Sequence, residues 1–408
     1  MRVLPDCAGA FAPVENALAD TFLPSLFKGS TPSWDLTSLP VRHGGLGIPD
    51  PTKAAEIHFD TSTEMTVDLT RSLKSNTPLN AAAFRDSSAV KIRNNRKIQL
   101  ARHKRQLADV LAASSTEAKR RIFRSEDTGV WLTAVPSSDY GTDLSMTEFR
   151  DSLRLRFGQR PHGLPKKCDG CKSVDFSVGH AQQCKKGGLV RGRHEDVCAE
   201  WGNLCSLALN PSSVVDEPII PLYQPDEGTN AMEQSQLRGD ISARSFWSRG
   251  VTAVFDVRIG DTDCASSRRM NPHAVLKRHE DEKKKKYGEA CARSQLHFTP
   301  LVFSVDGLEG TEAKAARKRL ASRLAAKWGR QYSQVCGFVR ARIAFTLVRA
   351  ASRCLRGTRD PYTRKPNLDW ASMSGMRLYS NCSNSIAICA SNPCAFCDLL
   401  LELITTFI

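Results

Sequence analysis

Four residues constrain this chain more than any others: Cys168, Cys171, His180 and Cys184, spaced C-x2-C-x8-H-x3-C. Two thiolates two residues apart can grip one ion from a tight turn, which Gly170 permits. A His and a Cys one helical turn apart supply the other two corners of a tetrahedron. With all four corners taken by protein, the zinc knuckle is structural and leaves no position for substrate. Binding contributes on the order of 10–16 kcal/mol to local folding, more than so short a segment gains by burial. The alternative is four unrelated residues. Around this centre, 408 residues leave room for two or three domains.

Metal ligation fits the cysteine usage. Fourteen cysteines in a chain this long are too few for a small disulfide scaffold. Residues 1–27 mix apolar positions with Asp6, Glu15, Asp20 and Pro24, so no secretory signal is expected. No run of about 18 apolar residues exists, and Leu399 to Ile408 is short and holds Glu402. The expectation is a reducing compartment, nuclear or cytoplasmic, with neither secretion nor a membrane partner. Cys394 and Cys397 repeat the pair spacing, with Cys382 and Cys389 upstream but no nearby His. That second set reads as chance.

Charge points to the partner. Lys and Arg number 58 against 43 Asp and Glu, a net +15, and cations set against phosphates release condensed counterions. Between Lys91 and Arg124, eleven Lys and Arg face only Asp109 and Glu117, with Leu100, Leu107 and Leu111 at helical spacing. Arg96, Lys97, Lys104 and Arg105 are the candidate nucleic-acid contacts there, for DNA and also for RNA. A merely solvated helix face is the alternative.

The chain divides by pattern into a punctuated region (1–80), a basic helical linker (81–160), the knuckle (161–190), a sheet-containing domain (191–360) and a loose Ser- and Asn-rich tail (361–408). The first region has short apolar stretches between Pro and Gly turns, including Leu39-Pro-Val-Arg-His-Gly-Gly-Leu-Gly-Ile48. Ser145 and Glu148 form a capping-box pattern before Phe149 and Leu153. After the knuckle a basic stretch, Lys185 to His194, precedes a helix expected over Glu195–Leu209. A short strand around Val214–Leu222 and two β runs ending in Ala253–Ile259 follow. Helices over Pro272–Arg293, Ala313–Trp328 and Ser333–Leu355, with a strand at Leu301–Val305, complete an α/β (α+β) chain.

Two carboxylates stand out. Asp240 ends a polar turn, and Asp256 lies inside the apolar strand Val254-Phe255-Asp256-Val257. A carboxylate there is costly to bury without a cation or donor, and two such acids can hold a divalent metal that activates water. Arg258 shares the strand face of Asp256, and Lys283-Lys-Lys-Lys286-Tyr287 lies in a helix that can return a Lys. By spacing alone, purely structural roles explain these residues as well.

The order of these features resembles the C-terminal part of non-LTR retrotransposon proteins that carry a restriction-enzyme-like endonuclease. The matching stretches are Cys168 to Cys184, Arg193-His194-Glu195, Arg238-Gly239-Asp240, Phe255-Asp256-Val257 and Lys285-Lys286-Tyr287. They cover roughly residues 145–310. Leu39 to Ile48 is similar to the segment trailing the reverse transcriptase thumb. No Tyr/Phe-x-Asp-Asp motif is present, so a truncated retroelement protein without polymerase activity is implied. The resemblance further implies a restriction-endonuclease-like mixed sheet flanked by helices, with a helical N-terminal region before the knuckle. It implies Mg²⁺ or Mn²⁺ on Asp240 and Asp256, and a water-orienting Lys283 or Lys286. Arg193 and His194 would support the site or the DNA. Glu195 replaces an Asn of the family pattern and Gly239 a Pro. Arg258 occupies the place where restriction-type nucleases often carry the catalytic Lys, and Arg cannot act as a base. Three functions therefore compete: a metal-dependent DNA nickase, a catalytically inactive zinc-knuckle nucleic-acid binder, and a protein-binding zinc module.

Overall fold

A computed structural model describes residues 4–172, 174–221 and 237–360. The tail, the end of the expected Val214–Leu222 strand and the Cys382–Cys397 set lie outside the described residues. Among the described residues the chain is a mixed α/β protein with one four-stranded mixed sheet in the order β1 (Val214–Asp216), β2 (Ile241–Arg244), β3 (Thr252–Gly260), β4 (His297–Ser304). The first three strands are antiparallel, and β4 runs parallel to β3 with Asp256 opposite Pro300.

A parallel neighbour needs a crossover. The helix Pro272–Arg293 supplies it, started by Asn271, whose side chain accepts from the His273 amide. β3 is buried on both faces from Ala253 to Val257 because both are covered. Ala253, Phe255 and Val257 join Trp201, Leu204, Leu320, Leu324, Val339 and Ile343 in the main core. Val254 packs on the other side with Tyr287 and Cys291 of the crossover helix.

Besides three five-residue helices at Ala12–Asn16, Leu23–Phe27 and Trp34–Ser38, the helices of the described residues are numbered α1 (Pro51–Ser75), α2 (Ala81–Ala113), α3 (Thr116–Ser125), α4 (Met146–Arg156), α5 (Val178–Gln183), α6 (Leu189–Ala208), α7 (Pro272–Arg293), α8 (Thr311–Trp328) and α9 (Tyr332–Arg356). The long α9 binds the two halves. Val335, Val339, Ile343 and Leu347 pack on the sheet core, while Ala341 and Phe345 join Phe22, Phe27, Trp131 and Leu153 of the N-terminal part. The capping box at Ser145 and Glu148 forms and starts α4.

Three elements differ from the sequence reading. First, the punctuated region contains α1, capped at Asp50 and ended by left-handed Asn76 (φ 50°). It escaped the pattern because Pro51 and Ala55 are its only buried residues, so it has no apolar stripe to recognise. Second, α2 starts at Ala81, well before the basic run, with Asn80 as its cap and only Val110 buried. Leu100 is exposed, whereas Leu107 and Leu111 flank a small cluster with Leu39 and Ile122. Third, α6 starts at Leu189 after Gly187 and Gly188, both left-handed (φ 69° and 70°). Arg193 and His194 are therefore inside the helix, not before it.

The basic run also divides. Arg120, Arg121 and Arg124 of α3 form a half-buried joint with Asp261, Asp263 and Asp306 beyond β3 and β4, with Arg124 Nε 2.7 Å from Asp306 and Arg120 Nε 2.6 Å from Asp263. Lys91 pairs with Asp68 of α1 at 3.0 Å. Those four cations are committed to carboxylates. Among the described residues, no helix is long and apolar enough to cross a membrane.

Candidate functional site

The four knuckle residues converge. Lys172 N donates to the Cys168 carbonyl at 2.7 Å, closing the turn, and Ser177 caps α5 by accepting from the His180 amide at 3.0 Å. Cys184 follows at the C-cap. The sulfur of Cys184 lies 4.0 Å from that of Cys168 and 3.6 Å from that of Cys171. A zinc tetrahedron with Zn–S bonds of about 2.3 Å has S···S edges of about 3.8 Å. His180 Nε2 is shut off from solvent and finds no partner apart from the thiols it faces. This Cys3His cluster can hold a metal ion. Burial opposes ionisation of Cys168, but the amides of Cys171 and Gly170 and the side chain of His180 pull its thiol down to about 7, toward the ligating thiolate.

Gly170 serves another purpose than the expected one. The left-handed turn residue is Lys172 (φ 55°). A Cβ on Gly170 would sit 2.8 Å from Arg359 Cβ and 2.9 Å from Lys186 Cβ. The absent side chain admits a clasp, in which Asp169 accepts from Thr358 and from the Arg359 amide, and Arg359 donates to the Ala181 carbonyl at 3.0 Å. Arg193, buried in α6, donates to Gln182 of α5 at 2.7 Å. It ties the knuckle to the sheet domain and does not reach the carboxylates.

The second site lies at the start of β2. Asp240 immediately precedes Ile241, the residue paired with Phe255, and so enters the sheet next to the segment that holds Asp256. Asp240 N donates to the Phe255 carbonyl at 2.9 Å, and its carboxylate accepts from Val257 N at 2.5 Å. Gly239 fits this path because a Cβ would meet Val254 Cγ1 at 2.4 Å. Its amide also donates to the Pro218 carbonyl at 3.0 Å, a bond that proline could not make. His194 Nε2 of α6 is 3.1 Å from Asp240 Oδ2. That hydrogen bond outweighs burial and raises the His194 pKa.

Asp256 is 3% exposed. Burial raises its pKa; the Lys283 ammonium of α7, its ion-pair partner, opposes that, and the Asp240 charge adds to it. Tyr287 also hydrogen-bonds to Asp256, and Lys286 donates to the Tyr287 hydroxyl at 2.9 Å. Of the two candidate lysines, Lys283 therefore touches the carboxylate, and Lys286 acts through Tyr287. Arg258 pairs with Glu282 at 2.5 Å. Arg96, Lys97, Lys104 and Arg105 are exposed along α2, far in sequence from this cluster.

Spacing does not single out Tyr287 or Cys198 as members of the site. Cys198 lies one turn after His194, its sulfur 3.6 Å from His194 Nδ1. The H-x3-C spacing that marks His180 and Cys184 could have found it. Compared with known proteins, the chain matches no family model and no curated sequence.

Proposed function

We propose that this chain is a retroelement-derived DNA-binding protein whose sheet domain is a restriction-endonuclease-like, metal-dependent DNA nickase lacking polymerase activity. One observation carries the reading. The Asp240 carboxylate accepts from Val257 N, the amide that follows Asp256 in β3, and Lys283 from the crossover helix reaches the buried Asp256. A buried carboxylate beside a second carboxylate and a lysine is a costly arrangement that cation binding repays. Asp240 and Asp256 would hold Mg²⁺ or Mn²⁺, which supplies charge neutralisation at a phosphate and an acidified water. Lys283 favours the ionised form of Asp256 against the effect of burial and can donate to the attacking water or a phosphate oxygen. The knuckle holds a structural zinc and braces α6 through Arg193 and Gln182. The exposed cations of α2 offer a track for a DNA or RNA backbone.

A second reading, a catalytically inactive zinc-knuckle nucleic-acid binder, is favoured by Arg258, which stands in the strand position of a catalytic lysine and is paired to Glu282. Plasmid nicking decides between them. The purified chain with Mg²⁺ should convert supercoiled to nicked DNA, and Asp240→Ala and Asp256→Ala should each lose at least about 100-fold of that rate. Equal nicking by wild type and both variants, or none by any of them, removes the nickase reading. Salt-steep DNA binding without cleavage selects the second.

A further inference from the structure

His194 and Cys198 repeat, on α6, the H-x3-C spacing that ends the knuckle. Residues four apart share one helix face, and here that face meets Asp240 at the mouth of the sheet. His194 Nε2 is 3.1 Å from Asp240 Oδ2 and 3.7 Å from Cys198 Sγ. The three ligand atoms all lie within 4.8 Å of one another. For a tetrahedral zinc at ordinary bond lengths, the N···S edge is about 3.6 Å and the N···O edge about 3.4 Å. The His194–Asp240 and His194–Cys198 pairs are each within a few tenths of an ångström of that separation.

The arrangement is held from both sides. Asp240 is pinned through its amide to Phe255 and through its carboxylate to Val257 N. Cys198 packs against the main core that contains Trp201. The His194 side chain is 37% exposed, so an ion can reach the group from solvent.

We infer that His194, Cys198 and Asp240 form a second metal site, selective for a borderline transition ion such as Zn²⁺ or Co²⁺. A nitrogen, sulfur and oxygen donor set suits such ions, whereas Mg²⁺ takes oxygen ligands. This binding stands on its own geometry and does not require the chain to be a nuclease. If the nickase reading holds, the two sites share Asp240, and zinc at the second site takes that carboxylate from Mg²⁺.

Cobalt titration of the full chain in a non-thiol reductant tests the inference. Sulfur-to-cobalt charge transfer reports thiolate ligation directly. With both sites filled there are four Co–S bonds, three from the knuckle and one from Cys198. Cys198→Ser should lower the uptake by one equivalent per chain and remove about a quarter of the charge-transfer band. His194→Ala, at a part-exposed position, should lower uptake by the same equivalent and serves if the serine variant fails to fold. Uptake and spectrum unchanged in a folded Cys198→Ser or His194→Ala chain would overturn the site. Failure of the nickase reading would show elsewhere, as absent Mg²⁺-dependent cleavage with the second cobalt equivalent intact.

Discussion

The knuckle and the carboxylate cluster lie next to each other in the chain and are built in opposite ways. The knuckle draws its four ligands from one short segment, and Cys168 and Cys184 are almost wholly buried at 0% and 6% exposure. The carboxylate cluster draws single residues from α6, the turn before β2, β3 and α7, and Lys283 pairs with its buried member, Asp256. A local, closed ligand set makes metal a condition of folding. A dispersed set lets the fold stand first and leaves cation binding to function.

The largest effect that can break this contrast is metal removal. Chelation, or Cys168→Ser, should cost the knuckle on the order of 10 kcal/mol and release the Arg359 clasp. Hydrogen exchange should then rise sharply across 166–184 and leave β3 protected. Unchanged exchange there under chelator would show that the cluster holds no metal.

Next in size is the pair Asp256 and Lys283. Lys283→Met leaves a buried carboxylate uncompensated and should cost about 3–5 kcal/mol in urea denaturation. Adding Asp256→Leu should recover most of that loss. A single variant as stable as wild type would mean that the carboxylate finds other compensation.

A smaller effect comes from His279 of α7, 7% exposed against β3. Burial first, and the Arg258 charge after it, hold its pKa down to about 4. The unfolded chain therefore binds the proton more readily, and stability is full above about 6.5 and falls as pH drops from there to about 4. The loss should be about 3 kcal/mol, and His279→Leu should flatten that limb of the stability profile. A wild-type profile already flat over that interval would refute the assignment.

The smallest effect on stability belongs to α2. Replacing Arg96, Lys97, Lys104 and Arg105 by Ala should change folding by less than about 0.5 kcal/mol. The same change should flatten the slope of log affinity for DNA against log salt by about 0.9 for each phosphate that these cations neutralise. An unchanged slope would take α2 out of the interface.

These two sites also differ in how much of them is legible in the sequence. Cys168, Cys171, His180 and Cys184 declare themselves because the ligand spacing is set by bond lengths within one turn and one helix. Helices α7, α8 and α9 and strand β3 are readable because each buries a periodic apolar face. Helix α1 is not, because a helix that buries almost nothing carries no such period. Asp240 and Asp256 are nominated by their setting, but no spacing could show that Lys283, rather than Lys286, reaches Asp256. Nor could it show that Arg193 faces the knuckle, or that Arg120, Arg121 and Arg124 are spent on a joint with Asp261, Asp263 and Asp306.

By itself, then, the sequence determined a Cys3His set that can hold a metal ion, a surplus of positive charge and most of the helices and strands that make a mixed α/β chain. Tertiary structure alone decided which cations remain free, which lysine meets which acid, and that His194, Cys198 and Asp240 share one corner. The physical reason is range. Thiolate spacing and helical periodicity are fixed within a few residues, whereas ion-pair partners are chosen by whatever the packing of α6 and α7 on the sheet brings within a few ångströms.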